Sequence, residues 1–590
     1  MFVDIKKGSI LCVVLLVVLV GCGSDNKATT PAAKIYRHSM DGVPITLDPA
    51  KSSDVYAGYL VVNIFDTLYA YKYLQRPYEL KPNLATAMPQ VSDDGLIYRI
   101  GIKPGVLFHP HSAFANGQRE VLASDVVYSI KRIFDPKAKS SGKWLFKNKI
   151  VGLDDWQGDY SQMVAGLKVI DDHSFEIHLT QPYPQLIHVL ANSFAAVVPR
   201  EVVEATGETF GSEVIGSGPF KLVSFDTQKA VLERNPDFRQ EPFDIATEGY
   251  TEAAYGWTGI AGLNNQSPPF VDRVEVNFFS DALSRWNSFT KDNEIQITSI
   301  RSGMLDKVLD AEGALLPQMQ ERYQIAKIEE FGMVYAGFNM DDPDFGYSED
   351  AEQNSKNKAL RCAIRDIYNW PQQNKIFYNN LGEAFPGVVP PMVDDSETPL
   401  SDMSITFNPD RARQGLQNAG ITADQLPKFE YHINSGTKSR QLFEFLRGSL
   451  MELGYDMEDI SIVPYPSFGA FNRAIKEKKV PFFLKSWALD YPDAQNTLQL
   501  FYSPNGAPGS NSFNYNNPAF DVLYEQTISI LPSKQRTQLY QQMNQMVVDD
   551  CVAISGLVRN RVILWHDNVL TFPDMGVFGG YNLRYVALTD

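Results

Sequence analysis

The strongest constraint on this chain lies at its front, where an unbroken apolar run of eleven residues, Ile10 to Val20, follows Lys6 and Lys7. A helix needs about 20 apolar residues to cross a hydrocarbon core of roughly 30 Å, so this run is too short to span one. A basic flank followed by a short apolar stretch is the pattern of a secretory signal. No other apolar segment of about 18 residues follows, so the remainder is expected to fold in water. At 590 residues the chain exceeds what one hydrophobic core organises, and at least two domains are expected. Apolar residues at 44 % and charged residues at 21 % exclude a disordered, collagen-like or coiled-coil chain. Acidic residues outnumber basic ones by 70 to 53, for a formal charge of −17. That sign argues against nucleic acid or an anionic lipid surface as a partner.

The ending Leu19-Val20-Gly21-Cys22 resembles a bacterial lipobox. The resemblance implies a signal peptide over 1–21, with Cys22 lipidated as the first residue of the mature chain. An ordinary signal peptide in which Cys22 falls by chance is the competing account. Residues 22–34 are small, polar and Pro-bearing, as a flexible tether requires. Each acyl methylene buried in a membrane contributes about 0.8 kcal/mol of anchoring. The expected location is the cell envelope, facing the periplasm or the exterior. Beyond the signal only Cys362 and Cys551 remain, and either a disulfide or two separate core thiols is compatible with the sequence.

A catalytic constellation is missing from the linear sequence. There is no G-x-S-x-G elbow, no H-E-x-x-H and no phosphate-binding G-x-x-x-x-G-K-[ST] loop. His109-Pro110-His111 lacks a third ligand for a metal, and the Asp341, Asp342, Asp344 and Asp350 group lacks calcium-loop spacing. Both read as solvated loops, and no cofactor or metal is called for. Gly216-Ser217-Gly218-Pro219 superficially resembles a phosphate cradle, but Pro219 has no N–H to donate and a strand follows it rather than a helix.

Strand and helix signals alternate along the chain, which predicts a mixed α/β (α+β) architecture. Leu96 to Ile102 and Ser174 to Thr180 alternate apolar and polar residues, as half-buried strands do. Ser124 to Phe134 has helical spacing behind a capping residue, and Asn408-Pro409 to Gly420 carries both ends of a short helix. A further helix is expected over Gln441–Leu453. Residues 240–269 hold no period and read as a long loop or insertion whose aromatics pack on the surface or flank a groove.

An ordered series of segments then becomes informative as a set. Leu47-Asp48-Pro49-Ala50, Phe65-Asp66-Thr67-Leu68, Lys81-Pro82-Asn83-Leu84-Ala85 and Ser92-Asp93-Asp94-Gly95 come first. Ala123-Ser124-Asp125-Val126-Val127-Tyr128-Ser129, Gly216 to Leu222 and Glu233 to Phe238 follow, and the second half adds Trp487 to Tyr491 and Asn517 to Asp521. Together they resemble the family 5 extracellular solute-binding proteins, the oligopeptide and dipeptide receptors of ABC importers. The resemblance implies a two-lobed fold of periplasmic-binding-protein type that closes on its ligand, with a large lobe I and two crossings between lobes. Lobe I would comprise 35–333 plus 559–590 and lobe II 334–558, with crossings near Val334 and near Ser555–Arg559.

The family's W-x-x-D-Y stretch implies that Asp490 pairs with a peptide's N-terminal ammonium, with Trp487 and Tyr491 beside it. Inside a cleft closed to water one such pair strengthens and sets the ligand's register. Main-chain groups near Ser486 and around Ala57, Gly58 and Tyr59 would pair with the ligand as an added strand. Several departures bear on the cargo: Leu484 stands where an oligopeptide receptor places an arginine, Ala488 replaces a bridging cysteine, and Arg365-Asp366 reverses the usual order. The leading expectation is a monomeric, lipid-anchored peptide receptor that hands its cargo to a permease and is not an enzyme. An oligosaccharide, opine, haem or chelated metal on the same fold is the alternative, followed by an exported hydrolase and by a surface protein that binds unfolded chains.

Overall fold

The computed structural model describes residues 33–590 except 53, 292–293, 301, 311–313, 435, 574–581 and 590. The signal peptide, Cys22 and nearly all of the tether lie outside the described residues. Lys34–Asp590 forms one compact unit.

Its sheets fall into two groups. In the first, Ile35–Met40, Arg273–Phe278, Lys229–Arg234 and Phe220–Phe225 form a four-stranded sheet in that order, the outer pair Ile35–Met40 and Arg273–Phe278 running parallel. A second four-stranded sheet is antiparallel and contains Ile97–Gly101 and Ser174–His178 at its centre. Both central strands bury alternate residues, as their period-two pattern predicts. Three more strands, Ile297–Ile300, Asn560–His566 and Tyr323–Glu329, join this group, as do the short pairs Tyr69–Tyr71 with Leu80–Pro82 and Val569–Leu570 with Ala587–Leu588; together they make lobe I. Lobe II is built on one six-stranded sheet in the order Glu383–Ala384, Ala553–Val558, Gly332–Phe338, Phe482–Ala488, Phe429–Asn434 and Ile460–Tyr465. Gly332–Phe338 is buried along its whole length, with neighbours on both edges.

Sheet membership changes at Glu330–Phe331 and again at Arg559, while Val334 and Ser555 already lie inside lobe II's sheet. The two crossings run side by side. Glu330 donates its backbone N–H to the Arg559 carbonyl at 2.8 Å, and its carboxylate accepts from Arg559 at 2.6 Å and from Arg561 at 2.5 Å.

The recognisable sequence segments converge on a buried network in lobe I. Asp66 receives a two-pronged bond from Arg239 at 2.8 and 2.9 Å and a third from Ser217 at 2.9 Å. Gly216 and Gly218 press against the backbone at Ile64–Phe65, leaving no room for a Cβ on either. The Gly-Ser-Gly-Pro segment is therefore a packing device.

Local expectations hold with adjustments. The Pro409–Asn418 helix is capped by Asn408, whose side chain accepts from the Arg411 N–H at 2.9 Å. The helix expected from Ser124 runs over Ala123–Phe134, with Leu122 as its N-terminal cap residue. Ser124 does not cap it. Asp125 reaches back to the Leu122 N–H at 2.9 Å instead, because a carboxylate in the third helical position can satisfy a free donor at the helix start. The helix expected over Gln441–Leu453 begins earlier, at Thr437. Cys362 and Cys551, left open by the sequence, are joined by a disulfide with Cα atoms 5.2 Å apart. In the 240–269 segment Tyr255 is buried and donates to the Leu74 carbonyl at 2.6 Å, and Trp257 packs on Trp565 with ring centroids 5.6 Å apart. Those aromatics cover lobe I.

Candidate functional site

A cavity of about 750 Å³ opens between the lobes. Lobe I contributes the Trp144–Lys149 segment, Tyr183 and Gln185, and lobe II contributes Trp487, Asp490, Tyr491 and Gln495. Its size suits a small organic ligand or a short peptide.

The sharp turn after the Phe482–Ala488 strand places Trp487 and Asp490. Asn496, wholly buried, holds this turn with three bonds: its Oδ1 accepts from the Trp487 indole N–H at 2.8 Å and the Asp490 backbone N–H at 3.2 Å, and its Nδ2 donates to Asp490 Oδ2 at 3.0 Å. Among the described residues no cation pairs with Asp490. Burial pushes its carboxyl up to about 6, against the pull of the Asn496 bond. Buried Tyr491 donates to Gln495 Oε1 at 2.5 Å, which fixes its ring beside Asp490.

Three residues on, Asp493 is treated differently. Arg536 ion-pairs with it, Tyr540 donates to it at 3.0 Å, and the Gln185 amide of lobe I reaches it at 3.4 Å. Nearby, His188 of lobe I stacks on Tyr491 with centroids 6.2 Å apart and bonds Tyr71 at 2.9 Å. Burial pushes His188 down to about 4, so this lobe contact carries a neutral imidazole at neutral pH.

Gly58, Tyr59 and Ser486 line a separate pocket of about 160 Å³ beside the crossings, and Trp487 forms a wall of both. Ser486 is exposed on a strand whose second edge pairs with Phe429–Asn434 only at Phe482. Among the described residues that edge is otherwise without a partner strand from Phe483 to Ala488, and an extended ligand can add to it. Ala57–Tyr59 do not supply such an edge. They lie in the helix Val55–Ile64, where the Ala57 N–H bonds the Asp54 side chain at 2.8 Å and the Gly58 N–H bonds the Asp54 carbonyl at 3.2 Å. Helical bonding consumes the donors that strand addition needs, and Ala57, fully buried, lines neither pocket.

Sequence reasoning missed Asn496, Gln185 and Lys149. No linear signal marks Asn496, which acts through a six-residue loop. For Lys149 the only sign is a local excess of lysine, at 143, 147 and 149, in an acidic chain.

With this geometry in view, comparison with known proteins decides the assignment: the model of the bacterial extracellular solute-binding proteins, family 5, matches residues 79–509. The chain belongs to that family. Its members bind small solutes or peptides outside the cytoplasm and work with ABC permeases. Heme-binding protein A of Haemophilus influenzae is 21 % identical over 483 residues, covering 80 % of this chain and 77 % of the relative. The dipeptide-binding protein of Escherichia coli K12 is 22 % identical over 490 residues, covering 81 % and 80 %. The solved structure of HbpA2 from Haemophilus parasuis superposes with a TM-score of 0.73 at 17 % identity, covering 94 % of this chain and all of that one. The mixed α/β, two-lobed fold of periplasmic binding proteins is thereby established. Among the described residues no helix is long and apolar enough to cross a membrane.

Proposed function

We propose that this family member captures short peptides in the cavity between its lobes and delivers them to the permease of an ABC importer. The observation that carries this reading is Asp490, a carboxylate set into the cavity wall with its turn braced by Asn496 and with no cation paired to it among the described residues. A peptide's N-terminal ammonium supplies the missing charge, and the bare edge of Phe483–Ala488 supplies main-chain bonds that read no side chain. Trp487 and Tyr491 give apolar walls at this end. Among the relatives, one is named for binding dipeptides and others for glutathione, itself a peptide, while Heme-binding protein A is named for the alternative cargo.

In this reading the lobes, 35–330 plus 559–590 and 331–558, turn about the paired crossings, the first of which lies three residues before the position expected from the sequence. The chain works as a monomer tethered through a lipid on Cys22, and it releases its cargo chemically unchanged, without a cofactor. Mass spectrometry of cargo released from purified protein, with thermal shift by the compounds found, tests the assignment. Co-purified peptides whose stabilising effect disappears in Asp490→Asn support it. A sugar, a metal chelate, or a haem that gives a Soret band would overturn the peptide assignment. The intact mass of membrane-extracted protein, read for a diacylated Cys22 terminus, tests the anchor separately.

A further inference from the structure

On the lobe I side of the cavity that Asp490 lines stands a cation that, among the described residues, has no counter-ion. Lys149 is half-buried and lines the cavity, and among the described residues no carboxylate pairs with it. Burial lowers its pKa. Its ammonium lies over the face of Tyr183, 4.9 Å from the ring centre, a contact that offsets only part of the desolvation. Tyr183 in turn feels the charge of Asp490, which together with burial raises its phenol. Tyr183 thus lies near both an ammonium on lobe I and a carboxylate on lobe II that have no ion-pair partner among the described residues. Among the described residues the two form no ion pair with each other. Lys147, exposed at the same rim, adds a second positive charge.

We propose that Lys149 receives a carboxylate of the bound peptide. This rests on the peptide reading above and sharpens it. Both charges line the same cavity, so one short peptide can meet both. The favoured cargo is therefore a short peptide bound by both ends, or a longer peptide with an acidic side chain near its N-terminus. The carboxylate contact forms a charge-assisted hydrogen bond in a cavity closed to water, and it ties the ligand to lobe I while Asp490 ties it to lobe II. One zwitterion thereby holds the two lobes together.

Calorimetry on the full mature chain with a small peptide set tests this. The set is trialanine, its C-terminal amide, its N-acetyl form, and the amides of Ala-Glu-Ala and Ala-Gln-Ala. For the native protein the free acid binds about ten- to a hundredfold more tightly than its amide, the scale of a hydrogen bond to a charged group. The Glu/Gln pair shows the same preference if the side chain is the source, and none if the C-terminus is. Lys149→Gln reduces the preference to about threefold or less, and Lys149→Arg retains it. The proposal is overturned if both pairs bind the native protein equally, or if Lys149→Gln keeps the native preference. N-acetylation reports on Asp490 independently: equal binding of trialanine and its N-acetyl form sinks the ammonium reading, whatever Lys149 does. Failure of every peptide in the set to bind would sink both.

Discussion

Two carboxylates three residues apart in the same loop have opposite surroundings. Asp493 is buried and matched: Arg536, Tyr540, Gln185 and the Gln495 N–H at 2.9 Å all point to it. Asp490 faces the cavity with one neutral amide donor to its side chain and a raised pKa. A buried charge with every lone pair answered holds a fold together, whereas one left without a cation is a vacancy for a charged ligand. The same contrast recurs in lobe I, where Arg239 is bound to buried Asp66 while Lys149 faces the cavity with no carboxylate partner among the described residues.

Breaking the matched partner has the largest effect. Asp493→Ala leaves Arg536 buried without its counter-ion and is expected to cost about 3–5 kcal/mol of stability, read by urea or thermal unfolding. A loss below about 1 kcal/mol would show the network to be dispensable. Asp490→Asn reverses the balance. Peptide affinity falls by about 2–5 kcal/mol, because the ligand's ammonium then meets a neutral wall.

The empty protein gains from that same change. Folding raises the Asp490 carboxyl from 3.8 to about 6, so the native state holds this proton more tightly than the unfolded chain. The native Asp490 therefore removes stability as pH rises between those values, and Asp490→Asn raises the unfolding temperature above pH 6. The gain is no more than about 1–2 kcal/mol once the solvated part of the carboxyl is discounted. Binding follows the same titration. Affinity weakens about tenfold per pH unit below about 6 as Asp490 protonates, and weakens again above about 8 as the ligand's amine loses its charge. Calorimetry from pH 4.5 to 9 checks this, and an acid limb that persists in Asp490→Asn would contradict the assignment.

Asn496→Ala comes next. It removes all three bonds of the turn, with an expected loss of about 1–3 kcal/mol of stability and about tenfold in peptide affinity, since Trp487 and Asp490 lose their common brace. The smallest effect belongs to Gln185→Ala. Its single bond across the lobes is 3.4 Å long and is worth about 0.5–1.5 kcal/mol at most. A small rise in the radius of gyration of the unliganded protein, with affinity changed less than about threefold, is the expected result in solution scattering.

Much of the architecture was legible because it rests on local rules. The strands at 97–101 and 174–178 betray themselves by alternation, and the helix after Asn408 by its cap, its Pro and its closing Gly. The segments that carried the family resemblance were legible too, but many of them serve the core: Asp66, Ser217 and Arg239 build a network far in sequence from one another and closed to ligand. Ala57–Tyr59 were misread as a ligand-pairing edge because the sequence does not show whether a main-chain donor is already spent. In the helix it is.

Sequence by itself determined the mixed architecture, the family, the expectation of an exported chain and the identity of Asp490 as the residue to watch, since each depends on spacing along the chain or on matched segments. Tertiary structure decided the rest. Whether a charge is answered depends on residues tens or hundreds of positions away: Arg536 for Asp493 and, among the described residues, no cation for Asp490 and no carboxylate for Lys149. Burial then decides what an unanswered charge means, because water solvates such a charge at a surface, while the wall of a closed cleft leaves that task to the ligand.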